Sequence, residues 1–114
     1  VDESLTDFHS AEKIIEYQAA NVFIIKPMVS GGFNESKKII QLAREENVRI
    51  VITSSLETNI GHLACLHLAA ANKIIETCGL STGMLLNDAS ESPAIEMGMI
   101  QLPRTPGIGV ALQD

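Results

Sequence analysis

The sequence predicts an α/β fold built on parallel strands, the C-terminal half of a (β/α)₈ (TIM-type) barrel followed by an extended tail. Two short apolar runs, residues 22–25 and 48–53, lack the alternation of a half-exposed strand, as expected where both faces are covered. A segment of helical period separates them and another follows, which gives βαβ units. The polar residues closing successive strands, Asp2, Lys26, Thr53 and Ser81, are separated by steps of 24, 27 and 28 residues. A barrel of about 250 residues divides into βα units of roughly 30, with its chemistry where each strand ends. Four such ends correspond to half a barrel. An open doubly wound sheet also fits the alternation, but the chain has neither a GxGxxG nor a GxxxxGK[ST] phosphate loop to support it.

The elements follow in order. A short helix is expected over residues 10–20. The strand at 22–25 stops abruptly at Lys26-Pro27. Asn34 is placed to cap the next helix, whose apolar positions Ile39, Ile40, Leu42 and Ala43 fall at helical spacing with charges opposite. The strand at 48–53 ends in Thr53-Ser54-Ser55. A helix over 58–72 is expected to bury Ile60, Leu63, Ala64, Leu68 and Ala71. After Met84, Pro93, Pro103, Pro106 and the Gly107-Ile108-Gly109 run break any long helix, so a short terminal helix and an extended tail are expected.

Composition narrows the function. A chain of 114 residues, 46% hydrophobic and 19% charged, fits one globular unit with an aliphatic core. Aromatics are 4% and Trp is absent, which argues against stacking platforms for bases or sugars. A net charge of −6 argues against nucleic acid and anionic membrane as partners, since either calls for a clustered basic face. No apolar run approaches the roughly 20 residues that span a bilayer, and the N-terminus does not read as a signal peptide. A cytoplasmic enzyme acting on a small molecule is the expectation. Cys65 and Cys78 are not in metal-ligand spacing and are expected to be reduced. Because the chain opens with Val1 directly before an acidic pair, it is expected to be cut from a longer one.

Asp2 and Glu3 are adjacent acids at a strand end, where a carboxylate suits Mg²⁺, although one carboxylate cannot complete an octahedral site and a solvated acidic pair is the plain alternative. Lys26 closes a run of four apolar residues. An ammonium there is costly unless it reaches water or acts on a substrate, as acid, base or fixed charge beside a developing anion. Thr53, Ser54, Ser55 and Gly79 offer hydroxyls and approachable amides for a carboxylate. His62 and His67 lie five apart, not the i, i+4 pair of a zinc helix, and are expected to be structural or solvent-facing; His9 is uninformative.

Together Asp2-Glu3-Ser4-Leu5, Ile25-Lys26-Pro27 with Gly31-Gly32, Thr53-Ser54-Ser55-Leu56-Glu57-Thr58 with Gly61, Gly79-Leu80, Leu102-Pro103 and Pro106-Gly107-Ile108-Gly109-Val110 resemble the muconate-lactonizing branch of the enolase superfamily. Within it the pattern is most similar to the o-succinylbenzoate synthases. That resemblance implies a Mg²⁺-dependent lyase of menaquinone biosynthesis that dehydrates a cyclohexadiene carboxylate through an enediolate. It implies Asp2 as a metal ligand, Lys26 as the charge facing the substrate, and Thr53, Ser54, Ser55 and Gly79 beside the substrate's succinyl part. It further implies that the KxK lysines, two acidic ligands and an N-terminal capping domain lie outside this chain. The chain alone is then expected to be inactive and to self-associate through unpaired strand edges. A racemase or epimerase of the same branch is the nearest rival, and a non-catalytic half-barrel assembly module is the rival from another class.

Overall fold

The structure, a computed structural model, describes residues 1–85 and 93–109. Helices and strands alternate: α1 (Phe8–Glu16), β1 (Val22–Ile25), α2 (Phe33–Glu45), β2 (Arg49–Ile52) and α3 (Asn59–Ala71). A 3₁₀ turn at Thr82–Leu85 and a hairpin of β3 (Ile95–Glu96) and β4 (Met99–Ile100) follow.

β1 and β2 pair in parallel, with Phe23 opposite Ile50 and Ile25 opposite Ile52. Two further segments extend this pair sideways. On one side the Val1 amine donates to the Val22 carbonyl at 2.7 Å and the Ile24 amide donates to the Val1 carbonyl at 2.9 Å. On the other, Gly79 forms a parallel bridge to Thr53. The parallel array therefore runs Val1, β1, β2, Gly79, with a helix between each pair of neighbours as the alternation predicts, although the fourth segment bridges at Gly79 and not at the expected Ser81.

The two strand faces differ. Phe23, Ile25, Ile50 and Ile52 are buried, while Val22, Ile24 and Val51 are half-buried and Arg49 is exposed. The expectation of strands covered on both faces is thus met on the helix side alone. There Ile39, Ile40 and Ala43 of α2 and Leu63, Leu66 and Leu68 of α3 close a single core that also holds Leu5 and Ala11. Each such large aliphatic side chain contributes roughly 1.5–3 kcal/mol on burial.

Helix α1 starts earlier than expected because Asp7 caps it. The Ser10 amide donates to Asp7 Oδ1 at 2.7 Å and the Asp7 amide to Ser10 Oγ at 3.0 Å, a reciprocal box. The backbone hydrogen bond from Ser10 holds the Asp7 carboxyl below its ordinary value. The helix stops at Glu16, short of residue 20. Gln18 takes φ +50°, and the amides of Gln18 and Ala19 turn back to Ile15 and Ile14, directing the chain into β1.

Four further expectations need correction. Asn34 does not cap α2; Gly32 does, at φ +84° and with no side-chain hydrogen bond. Glycine is favoured at that backbone angle, and using it starts the helix at Phe33. Leu42 is half-buried, and Ser36 takes a buried place on the α2 stripe. In α3, Leu63 and Leu68 are buried as expected, but Ile60 and Ala71 are exposed, while His62, Cys65, Leu66 and Ala69 turn inward. Helix α3 is apolar almost all round, so periodicity alone could not fix its buried face. The hairpin turns at Met97-Gly98, both at positive φ, where the sequence reading placed only an extended tail. The short terminal helix expected after about Met84 is not tested beyond the 3₁₀ turn, because residues 86–92 lie outside the described residues.

Candidate active site

The hydrogen bonds of Val1 set it opposite Phe23, which places Asp2 opposite Ile24. Side chains alternate along a strand, so Asp2, Ile24, Lys26, Val51 and Thr53 share the face that the helices leave open. Asp2, Lys26 and Thr53 all stand at the C-terminal ends of their segments. The Leu5 amide donates to the Asp2 carbonyl at 3.0 Å, and this tight turn buries Leu5 while holding Asp2 at the end of its segment. Glu3, its neighbour, is exposed.

Lys26 Nζ lies 2.5 Å from Asp2 Oδ1, with both side chains partly exposed at 25% and 30%. The contact is an ion pair, and Oδ1 is a buried oxygen with no other polar partner among the described residues. A buried anionic oxygen suits a cation, and the ammonium occupies that role. Among the described residues no cluster of three or more His, Cys, Asp or Glu could hold a metal ion. Asp2 therefore fits Mg²⁺ as one oxygen ligand, and the remainder of an octahedral set is not among these residues.

The β2 end carries the hydroxyls. Thr53 Oγ1 donates to the Gly79 carbonyl at 2.8 Å. A Cβ at Gly79 would stand 2.5 Å from Thr53 Oγ1 and 3.0 Å from Thr53 Cβ, so this contact requires glycine. Ser54 falls on the opposite face from Thr53 and is only 3% exposed. Its hydroxyl lies 2.6 Å from Thr82 Oγ1, and Thr82 Oγ1 donates to the Ser55 carbonyl at 2.9 Å. With the Thr82 proton committed to Ser55, Ser54 is the donor of that pair. Grouped with Thr53 and Ser55 by sequence, Ser54 is turned into the packed interior and holds the turn together. The Ser55 amide donates to Glu57 Oε1 at 2.8 Å.

Sequence reasoning missed Thr82 and Glu57 as supports of this end, because their partners are set by tertiary placement and no local spacing signals them. His62 and His67 are structural. The His62 Nε2–H donates to the Leu80 carbonyl and that of His67 to the Ile108 carbonyl at 3.2 Å, tying α3 to the segment after Gly79 and to the tail. His9 is exposed, 3.6 Å from Glu12. Cys65 and Cys78 are free thiols. Burial pushes the Cys65 thiol up to about 12, and the Glu57 carboxylate adds to the shift, which disfavours the reactive thiolate. Among the described residues no helix is long and apolar enough to cross a membrane.

Comparison with known proteins decides the family. Residues 1–114 match the enolase C-terminal domain-like model. The chain belongs to that family. A chloromuconate cycloisomerase of Cupriavidus pinatubonensis is 29% identical over the whole chain and 32% of its own length. An N-succinylamino acid racemase of Thermus thermophilus is 31% identical over 99% of the chain and 31% of its own length. An o-succinylbenzoate synthase of Desulfotalea psychrophila is 36% identical over 68% of the chain and 21% of its own length. Among solved structures, a muconate cycloisomerase variant superposes with a TM-score of 0.84 at 26% identity, covering 98% of this chain and 32% of the other. The fold of this enolase-superfamily chain is therefore of the α/β, TIM-barrel type. The chain spans about a third of the length of the first curated relatives it matches.

Proposed function

We propose that this chain forms the C-terminal half of the barrel in a cytoplasmic, Mg²⁺-dependent enzyme that dehydrates a cyclohexadiene carboxylate to o-succinylbenzoate in menaquinone biosynthesis. The contact between Lys26 and Asp2, on the open face where the strands end, carries the reading. It brings the cation needed beside a developing carboxylate anion to within 2.5 Å of the carboxylate needed for a metal.

In this reading Asp2 would give one oxygen to Mg²⁺, which when bound would supply Lewis-acid polarisation of the substrate carboxylate. Lys26 sets its fixed positive charge toward the carboxylate oxygens as the proton on the neighbouring carbon leaves and negative charge builds. Thr53 and Ser55 border the space for the succinyl arm, and Gly79, lacking a Cβ, lets the Thr53 hydroxyl close onto its carbonyl. Ser54 acts from behind by fixing the turn. The base, the other metal ligands and a cover over the site come from outside these residues. Alone, the chain is inactive and self-associates, because the Val1 segment and the Gly79 segment each have a neighbour on one side only among the described residues.

N-succinylamino acid racemisation is the second reading. The racemase match covers 99% of the chain where the synthase match covers 68%. Both reactions begin by removing a proton beside a carboxylate, so the same residues serve either.

The protein that carries this chain within a complete barrel, assayed at saturating Mg²⁺ on both substrates, separates the two. Aromatisation of the cyclohexadiene carboxylate is the expected result. Racemisation of N-succinylamino acids without aromatisation replaces the synthase reading with the second, and neither activity leaves the half-barrel as an assembly module.

A further inference from the structure

The turn that follows Lys26 contains a hydroxyl chain with no assigned purpose. Ser30 and Ser36 are 1% and 0% exposed. Ser30 Oγ donates to the Lys26 carbonyl at 3.0 Å, and the two serine hydroxyls lie 3.0 Å apart. A hydroxyl has one proton. Since that of Ser30 goes to Lys26, the bond between the serines is donated by Ser36, and the order of donation is fixed as Ser36, Ser30, Lys26.

The Lys26 carbonyl also accepts the amides of Val29 and Ser30, each at 2.9 Å, while the Gly32 amide closes onto the Pro27 carbonyl at 2.7 Å. Every one of these bonds is made within the turn or to the first helical turn of α2. Ser36 belongs to the rigid buried stripe of α2, so the chain of donors fastens the backbone of Lys26 to that helix. The Lys26 side chain, by contrast, points to the open face and touches Asp2.

We propose that Ser30 and Ser36 are positioning residues, which fix the Lys26 backbone so that its ammonium is delivered to one place beside Asp2. This rests on the reading of Lys26 as the charge beside the substrate. The two serines are buried behind the turn, and their hydroxyls reach the open face only through Lys26.

The geometry suggests how to separate positioning from mere stability. Ser30→Ala strands the buried Ser36 hydroxyl and costs stability, whereas removing both hydroxyls together is nearly neutral, since no buried donor is left without an acceptor. The double variant Ser30→Ala/Ser36→Ala thus keeps the fold and the backbone turn, and loses only the hydroxyl tie between Lys26 and α2. Competitive acetylation with acetic anhydride, read by mass spectrometry on the chain as it exists, compares Lys26 with Lys13, Lys37, Lys38 and Lys73 in one sample. We expect Lys26 to react up to about fivefold faster in the double variant, the factor set by loosening a partly exposed ion pair, with Lys13 and Lys73 unchanged. In the complete enzyme the same variant lowers kcat by about tenfold with KM within about twofold, since a small misplacement of a catalytic charge acts on turnover.

Unchanged Lys26 labelling in a folded double variant overturns the proposal. So does wild-type kcat in that variant when Lys26→Ala is itself impaired. If Lys26→Ala retains full turnover, the reading of Lys26 fails instead, and the labelling result still decides whether the serines hold it.

Discussion

Replacing Lys26 with alanine in the complete enzyme lowers turnover by at least about 10²-fold while leaving the fold intact. A single preorganised donor or charge aimed at a developing oxyanion is worth on the order of 10²–10³ in kcat. Its contribution to stability is far smaller. The Lys26–Asp2 pair is 25% and 30% exposed, and partly exposed pairs are typically worth no more than about 1 kcal/mol. Steady-state kinetics together with a urea melt resolve the two. Near wild-type turnover identifies Lys26 as a lysine that merely reaches water from the end of β1.

Gly79→Ala is expected to act on stability and turnover together. The added Cβ meets Thr53 Oγ1 at 2.5 Å and Thr53 Cβ at 3.0 Å, and neither can withdraw freely. Thr53 is held through its own hydroxyl to the Gly79 carbonyl at 2.8 Å and through its amide to Ile25 at 3.0 Å. The methyl group therefore pushes apart the bridge that joins β2 to the next segment. Overpacking of this kind costs about 1–3 kcal/mol, a large share of the roughly 5–15 kcal/mol that holds a domain folded. The same shift moves Thr53 on the open face, so kcat/KM falls even where the protein stays folded. A melt and kinetics unchanged from wild type would mean that the Thr53 side chain yields without cost.

Much of this arrangement was legible in the sequence because spacing encodes it. The steps from Asp2 to Lys26 to Thr53 reflect the length of one strand and one helix, which is why their place at strand ends could be anticipated, whereas the open face they share could not, since both faces were expected to be covered. Gly79 was legible through the resemblance and not through spacing, which put the next strand end at Ser81, two residues past the bridge to Thr53. The side-chain direction of Ser54 was not. Neighbouring hydroxyls in a Thr-Ser-Ser run look alike in sequence, and only the pleat of β2 sends Thr53 to the open face and Ser54 to Thr82 and the Gly79 carbonyl. The cap of α2 was misread because Asn34 has the chemistry of a cap, whereas the backbone turn had already placed Gly32 at the helix start. The inward face of α3 was ambiguous because Ile60 and Leu66 are equally apolar, and the hydrogen bond of His62 to Leu80 helps settle which side turns in. The Met97-Gly98 hairpin gave no warning, since methionine is a poor signal for a residue at φ +48°.

The central claim is that the strand-end pair of Asp2 and Lys26 is the metal and charge end of a carboxylate site. Its most direct test is a Mg²⁺ titration of turnover in the complete enzyme, wild type against Asp2→Asn. Asparagine keeps the size and one oxygen but removes the anion that a hard divalent cation prefers. We expect the Mg²⁺ concentration for half-maximal rate to rise at least about tenfold, in line with the loss of affinity that even supporting residues of metal sites can cause. An unchanged Mg²⁺ dependence with full turnover would contradict the account and leave Asp2 as no more than the ion-pair partner of Lys26.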